Sequence, residues 1–114
     1  MTDTIFSKII KREIPADILY EDDEVLAFRD VSPKAPTHFL VIPKLEIPTI
    51  NDIQPSQAEL IGKMVLTAQQ LAKHEGIAEQ GYRLVMNCNE DGGQTVFHIH
   101  LHVLGGRGLS WPPG

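Results

Sequence analysis

Three histidines, His98, His100 and His102, stand at every second position of TVFHIHLHVLGG (Thr95–Gly106), and Phe97, Ile99, Leu101 and Val103 fill the alternate positions. A period of two is that of a β-strand whose two faces differ, so all three imidazoles are expected on one face. At a rise of about 3.4 Å per residue, neighbouring histidines lie roughly 6.8 Å apart along such a strand. Protonated imidazoles repel one another, so each ring helps to keep its neighbours neutral. Near pH 7 a neutral imidazole can act as a nucleophile, a hydrogen-bonding group or a metal ligand.

Three readings of this row follow. It is a solvated face that happens to be rich in histidine, a metal site, or a catalytic site acting on phosphorus. Two histidines two residues apart on a strand can both reach one zinc ion, and His38 from another strand could add a ligand. The outer pair, however, sits about 13–14 Å apart at the backbone, so all three do not easily converge on a single ion. Catalysis at phosphorus draws support from the residues just upstream, Gly92-Gly93-Gln94-Thr95. They offer a flexible turn with free amides, a carboxamide and a hydroxyl, all suited to phosphate oxygens. Gly-Gly alone marks only a turn; leading directly into His-x-His-x-His it becomes far more specific.

A sheet must position these rings, and the remaining sequence supplies one. Ile5, Phe6, Ile9 and Ile10 have helical spacing within Thr4–Lys11, and Pro15 marks the exit of that short helix. Asp17–Glu21 and Val25–Asp30 read as strands joined across the short polar link Asp22-Asp23-Glu24. Ser32–Pro36 reads as a loop with two prolines, and Thr37–Pro43 as a third strand. Ser56 to Glu59 fits a capping box that opens a helix over about 56–75, with Leu60, Ile61, Met64, Val65, Ala68, Leu71 and Ala72 on its apolar face and Gly76 as its stop. Tyr82–Asn87 is a fourth strand, Asn89–Thr95 a glycine-containing turn, and Val96–Leu104 the fifth strand. The expected fold is a single α+β domain over residues 1–114. Its core is a five-stranded antiparallel sheet, with one short N-terminal helix and one long central helix.

Bulk properties narrow the partners. A net charge of −5 argues against broad attraction to nucleic acid or to an anionic membrane. The lone cysteine, Cys88, leaves no intrachain disulfide and no Cys-rich metal module. Lys8, Lys11, Arg12 and Glu13 are spread through the opening stretch, which does not read as a signal segment. The longest stretch without Asp, Glu, Lys or Arg, Gly92–Gly106, falls short of the ~20 apolar residues of a membrane helix. A cytoplasmic setting is therefore expected.

GGQTVFHIHLHVLGGR closely resembles the signature of the histidine triad family, His-φ-His-φ-His-φ-φ with φ apolar. TIFSKIIKREIPA, YEDDEVLAFRDVSPKAPTHFLVIPK, GYRLVMN and the terminal WPPG extend the likeness over almost the whole chain. They point to the branch of histidine triad nucleotide-binding proteins, the purine nucleoside phosphoramidases. The resemblance implies the histidine triad fold and a set of roles. His100 would attack the α-phosphorus and form a nucleotidyl-histidine intermediate. His102 would contact phosphate oxygens, His98 would position the nucleophile, and His38 would support the cluster. Asn87, Gly93, Gln94 and Thr95 would bind the phosphate or leaving group, and Asp30 the ribose hydroxyls, as suits a carboxylate with two acceptor oxygens. Phe6, Ile9, Ile14, Phe28 and Leu40 would sandwich the purine, although periodicity alone makes each of them a core residue.

The likeness further implies a homodimer in which the tail Arg107–Gly114, with Trp111, lies near the partner's site. Leu109 and Trp111 carry apolar surface that needs cover, consistent with an interface. Departures from the family pattern are local. Thr4-Ile5-Phe6-Ser7 stands where many members carry Cys-x-x-Cys, and Leu45-Glu46 follows Pro43-Lys44 where a histidine is common. A structural zinc site built from those positions is not available, so no metal and no cofactor are expected. Thr95 replaces a usual serine, and Cys88 stands where an acidic residue is common. Hydrolysis or transfer on dinucleotides and other nucleotidyl conjugates is the alternative chemistry, and a regulatory nucleotide-binding module with little turnover the alternative class.

Overall fold

The computed structural model describes residues 3–114. Thr4 caps helix α1 (Ile5–Ile10): its Oγ1 accepts the Ser7 N–H at 3.1 Å, and Ser7 Oγ accepts the Thr4 N–H at 2.8 Å. The two ends of Thr4-Ile5-Phe6-Ser7 thus form a reciprocal helix cap. Strands β1 (Ile18–Glu21), β2 (Val25–Arg29) and β3 (Thr37–Pro43) follow as an antiparallel meander. Helix α2 (Ala58–His74) then leads to β4 (Tyr82–Val85), the short helix α3 (Asn89–Gly92) and β5 (Leu101–Gly105). β5 inserts between β3 and β4, so the sheet order is β1-β2-β3-β5-β4, antiparallel throughout.

Alternate residues of the central strands enter two separate cores. Val25, Ala27, Phe39, Val41, Leu101 and Val103 pack against Met64, Ala68, Leu71 and Ala72 of α2. Leu26, Phe28, Leu40 and Ile42 point the other way, against Phe6 and Ile9 of α1. α2 is seventeen residues long and α1 only six, so the second face has the shorter cover. Arg29 binds Glu75 through two bonds of 2.8 and 3.2 Å, tying β2 to the end of α2. Among the described residues no helix is long and apolar enough to cross a membrane.

Three expected details differ. The fifth strand begins at Leu101, not Val96: its ladder with β3 stops at the Val41–Leu101 pair, two residues before β3 ends at Pro43, which has no N–H to donate. Residues 96–98 bend, and Phe97, expected on the apolar face, is 46% exposed; Ile99 does reach the α2 core, its N–H bonding the carbonyl of Ile47. β4 stops at Val85, short of Asn87: Val85 pairs with His102, and β5 has no strand beyond Leu101 to continue the ladder. The central helix is entered through a 3-10 turn at Pro55–Gln57. There Gln57 Oε1 accepts the Gln54 N–H at 2.8 Å, in place of the expected Ser56–Glu59 box.

Candidate active site

Leu40 pairs with His102 across β3 and β5, and His38 pairs with Leu104, so His38 and His102 are diagonal neighbours on the α1 face of the sheet. His38 Nε2 lies 2.9 Å from His102 Nδ1. The backbone fixes which atom holds the proton. Lys34 N–H donates to His38 Nδ1 at 3.0 Å, so a neutral His38 carries its hydrogen on Nε2 and donates it to His102. A neutral His102 then accepts on Nδ1 and carries its own hydrogen on Nε2.

His100 has the opposite tautomer. Its Nδ1–H donates to the carbonyl oxygen of His98 at 2.8 Å, and a carbonyl can only accept, so Nε2 holds the lone pair. His98 is fully buried, and its Nε2–H donates to the carbonyl of Pro43 at 2.7 Å. Phe6 sets an edge against both rings, its centroid 4.9 Å from that of His100 and 6.2 Å from that of His98. The His100 and His102 centroids are 5.0 Å apart. Burial holds His38, His98 and His100 below the ordinary imidazole range. Burial, then the neighbouring His100 and His38, pushes His102 down to about 4. All four rings are thus neutral at pH 7.

A cavity of about 410 Å³ opens beside these rings. Phe6, Ile9, Ile14, Phe28 and Leu40 supply apolar lining, and Asp30, Asn87, Gly93, Thr95, His100 and His102 supply the polar part. His38 and His98 stand behind the lining residues. The expected phosphate contact of Gln94 is not what the side chain makes. Its Oε1 accepts the Asn89 N–H at 2.9 Å, and its Nε2 donates to the carbonyls of Pro48 (2.7 Å) and Val96 (3.1 Å). Buried and saturated by backbone, Gln94 braces the loop on which Gly93 and Thr95 line the cavity. Trp111 lies outside the cavity and is 80% exposed. Asp30 Oδ1 accepts the Ser32 N–H at 2.7 Å, and its Oδ2 lies 3.4 Å from His38 Nε2.

Asp30, His38 and His102 bring three potential ligand atoms within 4.8 Å of one another. A metal on His38 Nε2 would need that lone pair, forcing the ring hydrogen onto Nδ1, where it would meet the Lys34 N–H head-on. The donor arrangement therefore suits a hydrogen-bond relay better than an ion.

The fold, the buried imidazole row and the glycine-containing loop can be compared with known proteins. A profile described as the HIT domain matches residues 11–109. The chain belongs to the HIT domain family. It is 60% identical over 107 residues to the purine nucleoside phosphoramidase of Escherichia coli strain K12, covering 94% of this chain and 90% of that protein. A HIT family hydrolase from Legionella pneumophila superposes with a TM-score of 0.96 at 54% identity, over 98% of this chain and all of the other. A histidine triad protein from Clostridium difficile gives 0.92 at 41% identity, covering 96% of each chain. In this HIT domain the groups that sequence reasoning misses are backbone ones: the amide of Lys34 and the carbonyl of Pro43. Main-chain atoms are common to all residues, so no sequence signal could reveal them.

Proposed function

We infer that this protein hydrolyses purine nucleoside 5′-phosphoramidates through a covalent intermediate on His100 Nε2. The observation that carries the reading is the His100 Nδ1–H bond to the His98 carbonyl, which leaves a lone pair on Nε2 in a ring that lines the cavity. In the first step Nε2 attacks phosphorus, the P–N bond breaks, and the amine departs with the electron pair and a proton drawn from solvent, to which the second step returns one. In the second, water attacks phosphorus, releases a proton, and the nucleoside monophosphate leaves with the Nε2 lone pair restored. The Nε2–H of His102 is positioned as a donor to a phosphoryl oxygen. Asp30 accepts the ribose hydroxyls, and Phe6, Ile9, Ile14, Phe28 and Leu40 enclose the purine. Asn87, Gly93 and Thr95 take the phosphate and leaving group.

Charge supports this substrate over a polyphosphate. Among the described residues the cavity lining has no lysine, and its one arginine, Arg29, is bound to Glu75. Neutral imidazoles and amides suit the single negative charge of a phosphoramidate monoester. The E. coli relative, named purine nucleoside phosphoramidase, supports the same assignment. We further take the protein to be a cytoplasmic homodimer that binds neither nucleic acid nor membrane, in keeping with its net charge of −5 and an exposed Trp111. Incubation with adenosine 5′-phosphoramidate should release adenosine monophosphate and ammonia in equal amounts. Binding without turnover would leave the regulatory reading in its place.

A further inference from the structure

Asp30 faces both the cavity and the histidine relay. The His38 ring is buried, and because its Nδ1 accepts the Lys34 N–H, its single hydrogen is on Nε2. That hydrogen bonds His102 Nδ1 at 2.9 Å, while the Asp30 carboxylate, its Oδ2 3.4 Å from the same nitrogen, draws on the N–H by charge without bonding it. Oδ1 of Asp30 already takes the Ser32 N–H, so Oδ2 is the less committed oxygen. The amide that imposes this arrangement is itself held. Arg107 donates to the Lys34 carbonyl from Nη2 at 2.9 Å and from Nε at 3.3 Å, and Lys34 Nζ donates to the Ser32 carbonyl at 3.0 Å.

Resting on the reading of Asp30 as the ribose acceptor, we propose that the sugar hydroxyls strengthen the His38–His102 hydrogen bond. When they donate to Asp30 Oδ2, the pull of the carboxylate on the His38 N–H weakens, and the bond it already makes to His102 tightens. His102 is then fixed with its own Nε2–H toward the phosphoryl group. No proton is transferred; it stays on His38, and only the strength of its bond to His102 changes. Sugar recognition therefore contributes to the chemical step and not to binding alone, since the contact strengthens a group that acts in the transition state. A carboxylate that merely holds the ribose would raise KM for deoxy sugars and leave the saturated rate unchanged. His38 is a positioning residue in this scheme, acting through His102.

The test is single-turnover kinetics of adenosine 5′-phosphoramidate and its 2′,3′-dideoxy analogue, each at saturation. The wild type should process the dideoxy substrate more slowly by about tenfold, the effect of one neutral hydrogen bond on a barrier. In Asp30→Ala the competing charge is gone, so the two substrates should react at equal saturated rates. Nitrogen-15 NMR of the wild-type imidazoles supplies a readout free of catalysis. Adenosine should move the His38 Nε2 and His102 Nδ1 signals, and 2′,3′-dideoxyadenosine at equal occupancy should not. A dideoxy substrate that changes KM alone, or ring signals indifferent to the two nucleosides, overturns the coupling while turnover of the ribose substrate upholds the enzyme reading. No turnover of either substrate overturns both.

Discussion

The main-chain carbonyl of His98 accepts the Nδ1–H of His100 at 2.8 Å, across only two residues of chain. Such a local side-chain bond competes with strand pairing. Here it falls just before Leu101, where no ladder to β3 forms although β3 runs on to Pro43. The backbone thus gives up regular pairing at the position where it orients the His100 ring.

From that bond the first prediction follows. His100→Gln should lower kcat by several orders of magnitude, because the two-step route needs the Nε2 lone pair. Nucleotide affinity should persist, since Asp30 and the apolar lining are untouched. Acid-quenched wild-type protein should carry a nucleotide-mass adduct on the peptide containing His100. An adduct mapped to another residue would move the nucleophile.

The four neutral imidazoles predict an acid limb displaced from the usual histidine range. His100 is held below it by burial, and His102 is pushed to about 4. The fall of kcat/KM on acidification should therefore lie below the ordinary imidazole value of ~6.5. Stability should change in the same window. As pH falls from ~6.5 toward the lowered folded values, the unfolded chain takes up protons that the folded one refuses, so the folded state loses stability. Urea midpoints and kcat/KM measured from pH 8 to 4 check both. A limb at the ordinary imidazole value would mean these rings are solvated.

How far the sequence reached is visible in Phe97 to Val103. The alternation of apolar residues and histidines correctly sorted Ile99, Leu101 and Val103 into the α2 core. Strand hydrogen bonding did not follow before Leu101, because pairing with β3 stops at Val41, and Pro43, in a distant part of the chain, has no N–H to donate. Likewise the hairpin of β1 and β2 and the long helix were legible from period and turn residues. The tautomers of His38 and His100 were not, being set by a Lys34 amide and a His98 carbonyl that depend on tertiary placement and local geometry. Gln94 shows the limit for side chains: its type suited phosphate, but burial assigned it to the backbone instead.

Gly105 gives a prediction about packing. A Cβ added there would lie 2.8 Å from Cδ1 of Ile77, 3.1 Å from its Cβ and 3.2 Å from its Cγ2. Ile77 is buried in the α2 core, with little room to retreat. Gly105→Ala should therefore destabilise the fold by about 1–3 kcal/mol, the usual cost of overpacking. Urea denaturation measures it; an unchanged midpoint would show that Ile77 yields freely.

Removing metal should have no effect on the reaction. The Lys34 amide fixes the His38 hydrogen on Nε2, where it bonds His102, so no lone pair of His38 is free to join Asp30 and His102 on an ion. Exhaustive dialysis against a chelator should preserve full turnover of adenosine 5′-phosphoramidate. Stoichiometric zinc by elemental analysis, with activity lost on its removal and restored on its return, would falsify the relay.

The tail sets the final prediction. Arg107 donates to the Lys34 carbonyl, and Arg83 donates to the carbonyls of Leu109 (3.3 Å) and Ser110 (2.9 Å), so the chain is anchored as far as Ser110. Trp111 then projects with 80% of its surface exposed, and a large aromatic left uncovered beside an anchored backbone is suited to a partner. A second copy of this chain is the partner we expect, with Trp111 reaching the neighbouring cavity at its leaving-group side. Deleting the whole tail would also release Arg107 from Lys34 and disturb the relay, so the informative variant is Trp111→Ala. Its urea midpoint should fall only by what the lost partner contact contributes, because the side chain adds little to its own core. Its ranking of phosphoramidates with different amines should change, whereas saturated turnover of the unsubstituted phosphoramidate should change less. Light scattering of the wild type at micromolar concentration should report twice the chain mass. A monomer, or a variant with the wild-type ranking of amines, would return Trp111 to a surface residue of a single chain.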